Sequence, residues 1–146
     1  VGLETQGSRW QDWFLSIDDL TISPKPPSSG MVTNWERLCE IIRKLDTACA
    51  IANEPHNFTL KVVVFRGQDA DWEYAKKIRA MFPQVQMYIS VGNLDVSSLD
   101  NIDSHRKQLL EDLDWLFDKI CGDAEMNDVR PLPQLHTLVW GNRRGV

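Results

Sequence analysis

Cysteine is scarce in this sequence and poorly spaced for any staple. Cys39, Cys49 and Cys121 are the three present, and no two stand at the roughly two- to four-residue interval of a structural zinc site, so neither a zinc nor a disulfide framework is expected. They read as reduced thiols used for packing. Long apolar runs are missing too. Stretches such as Val62–Phe65 end within a few residues, far short of the about 20 that a bilayer demands. No basic segment followed by an apolar stretch opens the sequence, so no signal peptide is indicated and a cytoplasmic location is expected. Positive charge is in deficit: 16 Lys and Arg against 21 Asp and Glu leave a net charge of −5. That balance argues against nucleic acid as the main partner, because phosphate neutralisation needs a clustered basic face. A Walker loop, a nucleophile elbow, a dinucleotide fingerprint and internal repeats are all absent.

What is present suits one domain over residues 1–146, with 42% hydrophobic and 25% charged residues to fill a core and wet a surface. Val1–Thr5 reads as a short strand. Trp10, Trp13 and Phe14 recur at the helical interval and predict a helical turn. Asp18–Ile22 reads as a second strand, halted where Pro24, Pro26 and Pro27 force a stiff, extended loop. A helix follows, capped by Thr33 or Asn34 with Glu36 in capping-box position, and Leu38, Ile41, Ile42 and Leu45 form its apolar stripe. Phe58–Phe65 is β-branched and nearly continuous, which predicts a strand buried on both faces. Asp69 or Asp71 caps the next helix, which carries Trp72, Ala75, Ile78 and Phe82 and stops at Pro83. Val85–Val91 is the following strand, and Asp100–Ile120 a long helix ended by Gly122. Gln134–Trp140 is assigned as the last strand. This alternation predicts an α/β fold, a mostly parallel sheet flanked by three helices with right-handed crossovers.

Ligands gather at the carboxyl ends of parallel strands, and four such ends carry polar or glycine-containing sequence: Glu4–Gly7, Ser23–Lys25, Ser90–Asn93 and Gln134–His136. Glu4 can accept hydrogen bonds from ribose hydroxyls or a guanidine-like edge; the plainer alternative is a solvated strand-end acid. Lys25 stands between prolines, so a pre-ordered backbone can aim its ammonium at a carboxylate or phosphate, against the ordinary role of a surface lysine. His136, among Leu135 and Leu138, is either a satisfied core histidine or a donor to a ligand. Asp18 and Asp19 suit a loop cap better than a metal pair. The residues by themselves describe half of an α/β rim for an anionic small molecule.

Glu4-Thr-Gln-Gly7, the run from Ile17 to Met31 containing Ser23-Pro-Lys-Pro-Pro, Leu60–Phe65 and the ending from Leu132 to Val146 together resemble the 7-carboxy-7-deazaguanine synthase family of radical S-adenosylmethionine enzymes. The resemblance implies a partial (β/α) barrel and a carbon–nitrogen lyase of queuosine biosynthesis. Such a lyase converts 6-carboxy-5,6,7,8-tetrahydropterin to 7-carboxy-7-deazaguanine with loss of ammonia. It also implies S-adenosylmethionine, a 4Fe-4S cluster and Mg2+ as cofactors, a pterin substrate as partner, and a homodimer. By the same resemblance Glu4, Gln134, His136 and Val146 face substrate, while Ser23, Lys25 and Ser90 lie near S-adenosylmethionine. No catalytic residue or metal ligand is assigned. Ser90 departs from the glutamine of many relatives, which puts an amide contact in doubt. The family's CxxxCxxC motif and GGEP-type segment are absent. With Val1 in place of methionine, the sequence is read as a C-terminal portion that alone binds no cluster and turns nothing over. The alternative is a non-catalytic α/β domain that binds a purine or pterin.

Overall fold

Parallel strands cannot be joined by tight turns, so each must be followed by a crossover long enough to return the chain to the same end of the sheet. A computed structural model, describing residues 1–93 and 102–141, shows that arrangement. Among the described residues the strands are β1 (Gly2–Thr5), β2 (Asp19–Ile22), β3 (Phe58–Val64), β4 (Met87–Val91) and β5 (Arg130–Pro131). They form one open, all-parallel sheet in the order β1-β2-β3-β4-β5. The α-helices are α1 (Trp35–Ala52), α2 (Asp69–Met81), α3 (Ile102–Cys121) and the short α4 (Leu135–Trp140), with 3-10 turns at Asp12–Ser16 and Pro27–Ser29. No helix among the described residues is long and apolar enough to cross a membrane.

Sequential strand order with right-handed crossovers puts the connecting helices on one face of the sheet. Leu20, Ile22, Phe58, Leu60, Val62, Val64, Met87, Ile89 and Val91 are buried there, under Leu38, Ile41, Ile42 and Leu45 of α1, Trp72, Ala75 and Ile78 of α2, and Leu116 and Ile120 of α3. The intervening residues point the other way. Thr21, Thr59, Lys61, Val63 and Tyr88 are half-buried and Glu4 is exposed. The strand at Phe58–Val64 therefore alternates between buried and half-buried positions and is not buried on both faces as its composition predicts. Val63 is apolar on the open side, and that made the run look continuous.

The end of the chain differs more. The last ladder pairing is Tyr88 with Arg130 and Ile89 with Pro131, after which Leu132 N–H donates to the Ile89 carbonyl at 2.7 Å. Gln134–Trp140 is not a strand: Leu135–Trp140 forms α4, closed by Leu138 N–H to the Gln134 carbonyl at 3.1 Å and Gly141 N–H to the Thr137 carbonyl at 2.8 Å. Pro133 has no N–H to give a ladder, and a short apolar run fits either period. Four α-helices are present among the described residues, not three.

Of the two residues expected to cap α1, Asn34 does so. Its Oδ1 accepts the Arg37 N–H at 3.0 Å, while Thr33 is engaged elsewhere. Asp69 and Asp71 do not cap α2, whose N-cap position is Gln68. Gly7, just past β1, has φ +69°, and a Cβ there would lie 2.8 Å from Ile22 Cγ2. The chain can turn off β1 this tightly only without a side chain.

Candidate functional site: the open face of the sheet

Glu4 and Lys61 are separated by a whole strand, yet Lys61 Nζ reaches Glu4 Oε2 at 3.0 Å. The register explains how. Glu4 pairs with Thr21 of β2, and Thr21 pairs with Thr59 of β3. Lys61 is two residues beyond Thr59 on the same face, and the short threonine between lets a long side chain span the gap. The Thr21 and Thr59 hydroxyls lie 3.4 Å apart below it. Partial burial pushes the Glu4 carboxyl up, but the Lys61 ammonium, the nearby Ser23 hydroxyl and the charge of Lys25 outweigh it and hold the group below its ordinary value of 4.5.

A carboxyl depressed in the folded state adds stability that is fully present above its unfolded pKa and is lost as the pH falls through the folded one. With the Glu4 side chain 46% exposed, the contribution is that of a surface pair, about 0.2–1 kcal/mol. Carbon-detected NMR of the Glu4 carboxyl is expected to show a midpoint below 4.5 that moves upward in Lys61→Met. A midpoint unchanged by that substitution would remove Lys61 as the partner.

Ser23 follows β2 directly, and its N–H continues the ladder to the Thr5 carbonyl at 2.6 Å. Its side chain faces Glu4 and helps lower the carboxyl, but Oγ completes no hydrogen bond of ordinary geometry and is buried. Ser90, opposite Val63 in the ladder, also has a buried Oγ without a partner. Buried hydroxyls are normally satisfied, so two unsatisfied ones on the open side of one sheet call for partners. Lys25 is half-buried between the buried Pro24 and Pro26. It borders a small cavity of about 50 Å³ shared with Gln6, Gly7, Thr33 and Leu38. A larger cavity of about 400 Å³ lies at the β3–β4 end of the rim, lined by Arg66, Gly92, Asn93, His105, Gln108 and Asp112. Gly92 has no room for a Cβ there, since one would stand 2.2 Å from the Phe65 ring.

The structure therefore brings Glu4, Ser23 and Lys25 together and sets Ser90 on the same face two strands away. Gln134 is at the start of α4, beside Val91, Leu109, Leu113 and Leu138 in a cavity that neither Glu4 nor Lys25 lines. His136 is exposed on α4 and is not the inward residue of a strand. Val146 lies outside the described residues. Sequence reasoning missed Lys61, although its alternation with Thr59 and Val63 against Phe58, Leu60, Val62 and Val64 was the available signal.

A cofactor with a carboxylate and sugar hydroxyls suits Ser23, Lys25 and Ser90, which offer an ammonium and two unpartnered hydroxyls. A 4Fe-4S cluster does not fit. Cys39 and Cys49 are ten residues apart on α1, hence about 15 Å along its axis, and Cys121 ends α3. Among the described residues no group of three His, Cys, Asp or Glu is placed to hold a metal ion, so no magnesium site is found there either.

No family model matches the chain. All 146 residues align with the 7-carboxy-7-deazaguanine synthase of Bacillus cereus at 50% identity and with that of Bacillus subtilis at 51%. In each case the chain spans 57% of the relative's length.

Proposed function

Proceeding from the resemblance of this whole chain to 7-carboxy-7-deazaguanine synthase, we propose that it is the C-terminal part of such an enzyme and supplies the ligand-facing half of its active site. The carrying observation is the open sheet face, where an ion pair, Glu4–Lys61, stands beside the buried and unsatisfied hydroxyls of Ser23 and Ser90. A face built only for water would not bury hydroxyls without partners.

Each residue's part follows from its chemistry. Glu4, kept ionised by Lys61, accepts N–H groups from the guanidine-like edge of 6-carboxy-5,6,7,8-tetrahydropterin. Lys25 meets a carboxylate of S-adenosylmethionine, and Ser23 and Ser90 bond its polar groups. Gln134 and His136, set on α4 apart from the open face, are given no part in holding the pterin. S-adenosylmethionine, when bound, supplies the hydrogen-abstracting chemistry of the reaction. The sheet holds the two ligands in fixed register and keeps water from the reacting carbon. The cluster has no ligand set in this chain, and no step is assigned to it.

The test uses the complete protein that carries this segment. It is expected to form 7-carboxy-7-deazaguanine from the pterin, and Lys25→Met is expected to weaken S-adenosylmethionine binding about 10- to 100-fold, the scale of one charged hydrogen bond. Absence of product, or an unchanged Kd in Lys25→Met, overturns the reading.

A further inference from the structure

The proline-rich segment from Ser23 to Asn34 is stiff in itself, but stiffness does not fix where it points. It carries a 3-10 turn at Pro27–Ser29 and a left-handed Gly30, and its direction is set by what the loop is tied to. Two anchors come from the same face of α2. Asp71, with none of its surface exposed, accepts the Ser28 N–H at 3.0 Å on one carboxyl oxygen and the Ser28 hydroxyl at 2.6 Å on the other. Among the described residues no cation pairs with it. A buried carboxylate is costly; here it sits in the first turn of α2, where unpaired amides favour negative charge. Its side chain is committed to one serine of the loop. Tyr74, three residues on, places its hydroxyl 2.6 Å from Thr33 Oγ1, which lies 3.4 Å from the carbonyl oxygen of Lys25 itself. Trp35 packs its ring 5.3 Å from that of Tyr74, and the Lys77 ammonium lies 3.7 Å over Trp35.

We propose that Asp71 and Tyr74 are positioning residues that hold the Lys25 loop at the carboxyl-end rim of the sheet, on the side where α2 packs. The proposal rests on the reading of Lys25 as a ligand contact. β3 and α2 are consecutive, so one β–α unit then sets both charged groups of the site: Lys61 fixes Glu4, and Asp71 with Tyr74 fixes Lys25. Neither Asp71 nor Tyr74 need touch a ligand.

A double-mutant cycle in the complete protein, read as S-adenosylmethionine affinity by equilibrium dialysis, tests this. Asp71→Ala and, more gently, Tyr74→Phe are expected to weaken binding about fivefold when Lys25 is present and less than about twofold in a Lys25→Met background, since residues that act through one another are not additive. Hydrogen exchange at residues 25–33 is expected to quicken while Phe58–Val64 is unchanged. Equal losses in both backgrounds, or no change in either affinity or loop exchange, overturn the proposal. A Lys25→Met protein that binds as tightly as its parent overturns the reading of Lys25, and this one with it.

Discussion

Leu60→Ala is expected to lower the free energy of unfolding by about 2–5 kcal/mol, toward the upper end of that range. Leu60 has no exposed surface and stands mid-sheet, in register with Ile22 on one side and Met87 on the other. Both neighbours are held by ladder hydrogen bonds, so the strands cannot close over a lost isobutyl group, and the void persists under the helices. Set against the about 5–15 kcal/mol that holds a typical domain folded, such a loss brings the protein close to unfolding. Urea denaturation measures it, with Thr59→Ala on the opposite face as the comparison, expected to change stability by under about 0.5–1 kcal/mol. Equal effects at the two positions would show that the helices do not seal the Leu60 face.

Glu4→Gln is expected to reduce kcat/KM of the complete enzyme about 10- to 100-fold, again the scale of one charged hydrogen bond. The amide keeps the shape of the side chain and replaces one acceptor oxygen with a donor. Turned toward Lys61, that donor meets an ammonium; turned toward the pterin, it meets the N–H groups the carboxylate is proposed to accept. Either orientation costs an interaction. If Glu4 served only as a surface partner of Lys61, the substitution would cost under about 1 kcal/mol of stability and leave kcat/KM alone. Steady-state kinetics together with a melting curve separates the two roles.

The helices of the middle of the chain were plain in the sequence because their apolar residues keep one period: Leu38, Ile41, Ile42 and Leu45 all prove buried on α1. The parallel order was legible for a similar reason, in that each helical stripe is followed by a β-branched run. The final segment was not. Leu135, Leu138 and Val139 satisfy a helix as well as a strand, and only pairing partners decide, which β4 gives to Arg130 and Pro131 instead. The rim residues show a comparable limit. Glu4, Ser23 and Lys25 could be picked out as polar strand ends, but that Lys61 would cross β2 to reach Glu4 depends on a register that the sequence does not display. Asp69 and Asp71 read as alternative caps because they open a helix, and the bond of Asp71 to Ser28, 43 residues away, has no local signature.

The one-sided covering of the sheet splits its strands into two interleaved scripts. Odd-numbered residues of β3 face the open side and even-numbered ones the oily side, and no position answers to both. Side chains at Thr59, Lys61 or Val63 can therefore be exchanged while Phe58, Leu60, Val62 and Val64 go on holding the scaffold, so this part of the molecule can change what it presents without relearning how to fold.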